Sequence, residues 1–226
     1  MKAIFFGSIG TIVETSELQR LAFNRAFEWH DLKWDWSQDT YREMLGQSGG
    51  KARIERFALR TGQFVNAKAV HETKTLLFHQ LLDQTDLHAR DGVLDVLNQA
   101  HRKGVKTAFA STTDMQTINR IRAATRGLHA HHFNAVTSDA IQVDPKPSPQ
   151  IYEYLLNGMA LSPADVIVVE DNTDGVSAAK QAGCYVIAMP GANTVGHDYS
   201  AADLVIEDNF FDQVSALLDQ AASKVA

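Results

Sequence analysis

The stretch MKAIFFGSIGTIVET, residues 1–15, decides the fold. The apolar run Ala3–Phe6 leads directly into a loop that contains two glycines. A short apolar run bounded by such a loop is typical of a buried β-strand. α/β proteins present functional side chains at the carboxyl end of a strand of this kind. Here the two positions best placed to do chemistry, Gly7 and Ile9, carry no functional group.

Length and composition narrow the class of protein. The 226 residues are enough for one α/β domain, or for a core with a smaller insertion. The net charge of −6 does not favour a nucleic acid or a membrane surface as partner. Cys184 is the single cysteine, which predicts a buried, unreactive thiol and a cytoplasmic location. No segment approaches the ~20 apolar residues of a transmembrane helix.

Apolar runs alternate with amphipathic segments along most of the chain. This pattern predicts a doubly wound, Rossmann-like parallel sheet, which binds ligands beyond the carboxyl ends of its strands. The predicted strands are Ala3–Phe6, Val105–Ala110, Ala135–Thr137, Val166–Val169, Tyr185–Met189 and Leu204–Ile206. The predicted helices between them are Val93–Arg102, Asp114–Thr125, Pro149–Asn157 and Thr173–Ala182.

The segment after the first strand breaks this alternation. From Ser16, the expected N-cap of its first helix, to about Leu87 it shows only helical periodicity. We therefore expect residues 1–14 and 90–226 to form the α/β core, and residues 15–89 to form an inserted α-helical cap domain. Trp34 and Trp36 of the cap are expected to be packing residues.

Two adjacent acids, Glu170 and Asp171, follow the predicted strand Val166–Val169 and precede a helix. Carboxylates at the end of a strand suit a hard, oxygen-preferring cation such as Mg²⁺. The alternative is that Asp171 only caps the following helix. Considered together with the motifs below, the pair favours a metal-type site.

Two further motifs suit an anion. Lys146 lies between two prolines that restrict its backbone, so it can supply a counter-charge to a phosphate or carboxylate; the alternative is a solvated loop lysine. Ser111 and Thr112 follow a predicted strand and precede a helix, where hydroxyl and backbone N–H groups can cradle a phosphate. Such turns also occur purely as helix caps.

In this order the motifs resemble the haloacid dehalogenase superfamily. The insertion, with its Trp-Ser, Tyr and Gly-Gly-Lys-x-Arg features, resembles the beta-phosphoglucomutase-like, CbbY-type branch. The resemblance spans essentially the whole chain. It implies a phosphatase or phosphomutase fold, a Mg²⁺ cofactor, and a small phosphorylated metabolite or inorganic phosphate as ligand.

The resemblance also implies a role for each matching residue. Phosphate binding falls to Ser111, Thr112 and Lys146. Metal binding falls to Glu170 and Asp171. In the cap, Lys51 and Arg53 are expected to contact the substrate, with a solvated helix face as the alternative.

The first motif departs from the family pattern. That pattern is Asp-x-Asp-Gly-Thr, whereas this chain has Gly7-Ser8-Ile9-Gly10-Thr11. The resemblance implies that the first aspartate is the nucleophile and a Mg²⁺ ligand, and that the second is the general acid–base. Without an oxygen nucleophile at position 7 this covalent route is closed, and losing the acid–base group removes typically ~10²–10⁴-fold in rate. Mg²⁺ binding is expected to be weakened.

Three functions therefore remain open. The chain could be a catalytically impaired member that at most binds phosphate or a sugar phosphate. It could be an active Mg²⁺-dependent hydrolase that uses an unorthodox nucleophile or water, although Ser8 is expected to point away from the site. It could be a non-enzymatic protein-interaction module whose partner the sequence does not name. The histidines at 129, 131 and 132 are expected to lie in a solvated loop rather than in a metal site.

Overall fold

Six parallel strands form the central sheet of the protein, which we describe from a computed structural model covering residues 1–222. The strands of both sheets within residues 1–222 are β1 Ala3–Phe6, β2 Leu87–His88, β3 Lys106–Phe109, β4 Thr125–Arg126, β5 Ala135–Val136, β6 Val166–Glu170, β7 Tyr185–Ala188 and β8 Leu204–Val205. The sheet order is β5-β3-β1-β6-β7-β8, and β2 pairs with β4 in a separate two-stranded sheet. The six predicted strands are confirmed; the short β2–β4 pair was not predicted.

The position of β1 explains where a site can form. β1 lies between β3 and β6, and its four residues are fully buried. Phe6 is in register with Phe109 of β3 and with Val169 of β6. The residues that follow these three strands therefore meet at one edge of the sheet.

Helices cover both faces of the sheet, as the alternating pattern predicts. The α-helices of residues 1–222, including those of the inserted segment, are α1 Ile9–Ile12, α2 Ser16–Trp29, α3 Gln38–Met44, α4 Gly50–Thr61, α5 Ala67–Asp83, α6 Val93–Arg102, α7 Met115–Ala124, α8 Gln150–Gly158, α9 Thr173–Gln181 and α10 Phe210–Ala222. Phe5 faces α8 and α9, whereas Phe6 faces α6 and α10, so the two faces have separate apolar clusters. Within residues 1–222, no helix combines the length and apolarity needed to cross a membrane.

The helices α2 to α5 form the segment predicted to be a cap, and they pack around an aromatic cluster. The ring of Trp36 lies 4.6 Å from that of Phe27 and 4.8 Å from that of Phe23, and Trp34 packs edge-on against Phe27. The prediction that Trp34 and Trp36 are packing residues is confirmed. Ser16 is the first helical residue and Thr15 is the N-cap, so the expected N-cap is wrong by one residue. The Ser16 N–H donates to the Glu14 carboxylate at 2.9 Å.

The boundaries of the two predicted domains stay a prediction. The strand β2, which falls inside the predicted cap range 15–89, pairs with β4 of the predicted core. Residues 223–226, at the end of the predicted core range, lie outside the described residues.

The long helix α5 joins the helical segment to the core through α7. Phe78 and Leu82 of α5 pack against Ile121 of α7 in one apolar cluster. At the border of this cluster, the His79 ring lies 2.6 Å from the Thr117 hydroxyl. The helical segment is thus held over the carboxyl edge of the sheet by both apolar and polar contacts.

Arg90 fixes the loops that surround this edge. Its guanidinium donates to the carbonyl of Gly10 at 3.0 Å, of Met189 at 2.7 Å and of Pro190 at 2.6 Å. Gly10 lies in α1, the short helix after β1, and the other two carbonyls lie in the loop after β7, so one side chain holds both segments in place. Burial lowers the pKa of Arg90, and nearby Asp171 and Glu14 oppose that effect.

Replacing Arg90 is therefore expected to destabilise the protein. Arg90→Ala leaves three backbone carbonyls without their charged donor, which should lower the free energy of unfolding by about 3 kcal/mol. Urea denaturation measures this directly. Arg102→Ala removes an exposed arginine of α6 and should change stability little. Equal effects of the two substitutions would contradict the role assigned to Arg90.

Candidate active site

The carboxyl edge of the sheet brings together most of the residues that the sequence singles out. Gly7 follows β1, Ser111 follows β3, and Glu170 ends β6. Lys146 reaches them from the loop before α8, where its ammonium lies 2.6 Å from a carboxylate oxygen of Glu170. Lys51 and Arg53 do not join this group, because they lie on α4 of the helical segment.

Glu170 is held in the interior at this edge. Its side chain is 0% exposed, and the same oxygen that accepts Lys146 also accepts the hydroxyl of Tyr152. Burial raises the pKa of Glu170, and the positive charge of Lys146 opposes that shift. Burial, together with the neighbouring Glu170, raises the pKa of Tyr152.

The carboxyl group of Glu170 lies between two glycines. A Cβ atom placed on Gly7 would overlap this carboxyl group and the Tyr152 hydroxyl. A Cβ atom on Gly175 would overlap the carboxyl group from the other side. Glu170 and Tyr152 thus fill the space that a side chain at position 7 would need.

Lys146 is fully engaged within this cluster. Its ammonium donates to the carbonyl of Gly7, to that of Ala110 at 3.3 Å, and to Glu170. These acceptors use the three hydrogens that a lysine can donate. The ammonium also lies 5.1 Å from the centre of the Tyr152 ring. Lys146 is therefore the counter-charge of a carboxylate, one of the two roles that its sequence predicts.

Asp171, in the loop between β6 and α9, has different partners from Glu170. One carboxylate oxygen accepts the Ser8 hydroxyl at 2.6 Å and the Asn172 amide at 2.7 Å. The cap of α9 is Asn172, whose side-chain oxygen accepts the Gly175 N–H at 2.8 Å. The alternative that Asp171 only caps this helix is wrong.

The expectation that Ser8 points away from the site is also wrong. The expectation followed from an extended backbone at position 8. Ser8 is the N-cap of the short helix α1 and does keep an extended backbone, with φ −151° and ψ 168°. Its hydroxyl nevertheless donates to Asp171, which follows the neighbouring strand β6.

Ile9 packs with apolar side chains. It lies against two clusters at once: the core cluster that contains Phe6, and the cluster between α5 and α7 that contains Phe78. It also lines a small apolar cavity of about 60 Å³ with Phe109 and Ile118. Position 9 is therefore part of the contact between the core and the helical segment.

The residues at this edge do not fit a Mg²⁺ ion. Gly7 supplies no carboxylate, and its carbonyl oxygen accepts Lys146. Glu170 is turned toward Lys146 and Tyr152, so Asp171 is the one acid still facing the loop. Among residues 1–222, no three acidic, histidine or cysteine side chains are grouped so that they could hold a metal ion.

The turn after β3 is ordered by its own hydrogen bonds. The Ser111 hydroxyl accepts the Thr113 N–H at 3.0 Å, and the Ser111 N–H donates to the Thr137 hydroxyl at 2.9 Å. Thr112 is exposed. Asp114 caps α7 by accepting the Thr117 N–H at 2.8 Å. Ser111 and Thr112 thus lie beside the Lys146–Glu170 pair in a turn that is already structured.

The two basic residues predicted in the helical segment differ in environment. Lys51 is exposed and lies 3.4 Å from Glu55, so the alternative of a solvated helix face describes it well. Arg53 is buried and donates to the carbonyls of Met44 at 3.2 Å and Gln47 at 3.1 Å. It therefore supports the loop between α3 and α4.

That loop contacts the core next to Asp171. The Ser48 N–H donates to the Asp174 carboxylate at 2.7 Å. The Thr173 hydroxyl donates to the Gly46 carbonyl at 3.2 Å. The helical segment thus touches the core at the start of α9 as well as along α7.

Sequence reasoning missed a basic cluster in the helical segment. Lys74 of α5 is buried, donates to the Gln19 amide oxygen at 3.0 Å, and lies 4.8 Å from the ring of Phe23. Burial, with Arg53 nearby, lowers the pKa of Lys74 to about 7. Burial, with Lys74 nearby, lowers the pKa of His71 to about 4. Within residues 1–222, no acid forms an ion pair with Arg53 or Lys74.

A signal for this cluster was present in the sequence. The buried positions of α5 include Val70, Lys74 and Phe78, which recur every four residues. A lysine within such a stripe must be buried with the apolar residues around it.

Two minor predictions have different outcomes. Cys184 is buried as expected, and burial raises its pKa to about 11. The solvated loop expected at the histidines is wrong in part. Ala130–His132 form one helical turn, and His132 is buried there with its ring nitrogen accepting the His129 N–H at 3.2 Å.

The sequence of this chain is similar to those of known hydrolases. The profile described as "Hydrolase: haloacid dehalogenase-like hydrolase" matches residues 1–183. The chain belongs to the haloacid dehalogenase-like hydrolase family. It is 34% identical over 212 residues to Protein CbbY of Cereibacter sphaeroides, covering 92% of each chain. It is 24% identical over 209 residues to the beta-phosphoglucomutase of Bacillus subtilis, covering 91% and 89%.

A solved relative gives the same relationship in three dimensions. The crystal structure of CbbY from Rhodobacter sphaeroides in complex with phosphate is 32% identical, with a TM-score of 0.84 over 92% of this chain and 94% of that one. A mutant of the same protein in complex with xylulose-(1,5)bisphosphate matches equally well. The predicted CbbY-type, beta-phosphoglucomutase-like branch is confirmed.

The basic cluster makes the stability of the protein depend on pH at Lys74. Its pKa is about 7 in the folded protein and higher when unfolded, so between these values the unfolded chain binds more protons and stability rises with pH. Lys74→Met should therefore stabilise the protein, and the gain should be about 2 kcal/mol larger at pH 7 than at pH 9. Urea denaturation at both pH values measures the difference.

Lys68 provides the control for this comparison, because it is an exposed lysine on the same helix. Lys68→Met should give no gain that varies with pH. A Lys74→Met variant whose stability differs from the wild type equally at both pH values would contradict the buried, partly deprotonated ammonium.

Proposed function

We propose that this protein binds a small phosphorylated metabolite without transferring its phosphoryl group through an aspartyl intermediate. The observation that carries the proposal is the Lys146–Glu170–Tyr152 cluster, which fills the space beside Gly7. Position 7 offers no oxygen nucleophile, and the room for one is occupied by side chains that satisfy one another. The chain is thus a member of a phosphatase family with impaired catalysis.

Phosphate binding does not need the missing nucleophile. Lys146 neutralises Glu170, so an anion approaching the edge meets less negative charge than two free carboxylates would give. The turn offers the Ser111 and Thr112 hydroxyl groups near that pair, while the Ser111 and Thr113 N–H groups are already bonded within the protein. In this proposal Ser111 and Thr112 contact the phosphate, and Lys146 acts through Glu170.

The helical segment supports a ligand with a second polar or anionic end. Lys51, Arg53 and Lys74 supply positive charge within the helical segment, and Arg53 and Lys74 have no carboxylate partner within the described residues. CbbY from Rhodobacter sphaeroides, whose fold this chain shares, has been seen with phosphate and, as a mutant, with a sugar bisphosphate. We propose a sugar phosphate or sugar bisphosphate as the ligand class, with Lys51 and Arg53 at its distal end.

Calorimetric titration with inorganic phosphate and with xylulose 1,5-bisphosphate tests this proposal. The bisphosphate should bind more tightly than phosphate, because it can also reach the basic residues of the helical segment. Lys51→Ala should weaken bisphosphate binding by about 1 kcal/mol, or about fivefold in Kd, and leave phosphate binding unchanged.

Arg56→Ala is the matched control, since Arg56 is exposed on the same helix. It should leave both affinities as they are. Folded protein that binds neither probe would contradict the proposal and favour the protein-interaction module.

A second candidate function is favoured by one contact, the 2.6 Å hydrogen bond from the Ser8 hydroxyl to Asp171. In this alternative Ser8, or a water held at the same carboxylate, attacks the phosphorus atom and passes its proton to Asp171. The bond from phosphorus to the sugar oxygen breaks, and that oxygen leaves as a hydroxyl group with the proton from Asp171; a phosphoserine formed at Ser8 is then hydrolysed by water. Phosphate release from xylulose 1,5-bisphosphate should then be lost in Asp171→Asn, and a serine nucleophile requires that it is lost in Ser8→Ala as well. Our first proposal expects no release above the buffer rate from wild type or variants.

A further inference from the structure

The cluster around Glu170 has a consequence for metal binding. The relatives of this protein belong to a family that generally uses Mg²⁺, yet here the acid that ends β6 already has a cation beside it. Lys146 lies 2.6 Å from Glu170, and the two side chains are 10% and 0% exposed. A charge pair this deeply buried is held by internal partners rather than by solvent.

Every hydrogen-bonding group in the cluster has a partner from the protein. The ammonium of Lys146 donates to Gly7, Ala110 and Glu170. One oxygen of Glu170 accepts Lys146 and Tyr152, and the other is 3.5 Å from the Asn172 amide. Oε1 of Glu170 is thus taken by two donors, and a divalent ion at Oε2 would have to displace the Asn172 amide.

An ion at Glu170 would also compete with the ammonium for the same negative charge. A Mg²⁺ ion at Glu170 would lie within a few ångströms of the Lys146 ammonium, in an interior where like charges repel strongly. The two glycines that flank the carboxyl group leave room for Glu170 but supply no further ligand oxygen from side chains. The positive charge of Lys146 and the shortage of ligand oxygens therefore both oppose metal binding at Glu170.

We propose that the Lys146 ammonium takes the place of the divalent ion at this site as the resident counter-charge of Glu170, so that the protein folds and functions without Mg²⁺. The proposal predicts that lysine and metal exclude each other. Removing the ammonium should leave Glu170 and Asp171 to bind a divalent ion. The role of Lys146 as the counter-charge of Glu170 does not depend on whether the protein binds phosphorylated metabolites.

Thermal unfolding with EDTA and with Mg²⁺ tests the proposal. A Mg²⁺ concentration about 100 times its Kd would raise the Tm of a protein of this size by about 5–10 °C. The wild type should show less than about 1 °C of change at about 10 mM Mg²⁺. Lys146→Met should have a lower Tm in EDTA than the wild type, and Mg²⁺ should recover several degrees of it.

Lys180→Met is the matched control. Lys180 pairs with Asp203 at 2.8 Å but is partly exposed and lies away from the site, so its removal should create no response to Mg²⁺. If Lys146→Met folds only when Mg²⁺ is present, that also supports the proposal. If it folds in neither buffer, the wild-type titration decides, together with Lys146→Arg, which keeps the charge and should stay insensitive to Mg²⁺.

A different result would overturn the proposal. A wild-type Tm that rises by several degrees with Mg²⁺, and no longer rises in Glu170→Gln, would show that Glu170 binds the metal. Phosphate titrations in EDTA and in Mg²⁺ separate this proposal from the proposed function. Absent phosphate binding in both buffers contradicts the function alone, whereas binding that requires Mg²⁺ contradicts the metal-independent site.

Discussion

The carboxylate of Glu170 lies in the interior at the end of β6, and the arrangement of the site depends on satisfying it. A buried charge without a partner destabilises a protein by several kcal/mol, so its neighbours are constrained. Lys146 can reach it because the loop before α8 ends at the same sheet edge. Tyr152 can reach it from the first turn of α8. The absence of a side chain at Gly7 leaves the space that this arrangement uses.

The fold was largely predictable because it rests on patterns that are local in sequence. Apolar runs of strand length and glycine-bounded loops locate all six strands of the main sheet within one residue. The helical periodicity of the inserted segment is equally clear. What could not be predicted is structure that depends on contacts between distant residues, as between Ser8 and Asp171, or on distant strand pairing, as between β2 and β4.

The membership of the site was also predictable, but its internal contacts were not. Strand ends place Gly7, Ser111 and Glu170 at one edge, and this follows from the parallel sheet alone. Which partner Lys146 takes depends on distances of a few ångströms that spacing does not encode. The helical pattern alone does not distinguish Lys74 from an ordinary surface lysine, although its burial lowers its pKa.

The close contact between Gly7 and Glu170 limits which residues position 7 can accept in evolution. An aspartate placed at position 7 would meet the Glu170 carboxyl group and the Tyr152 hydroxyl, so those side chains would have to move to admit it. An aspartate at position 9 would enter an apolar contact between the core and α5. Neither substitution is neutral by itself, so an aspartate at either position depends on a change in the side chains around it.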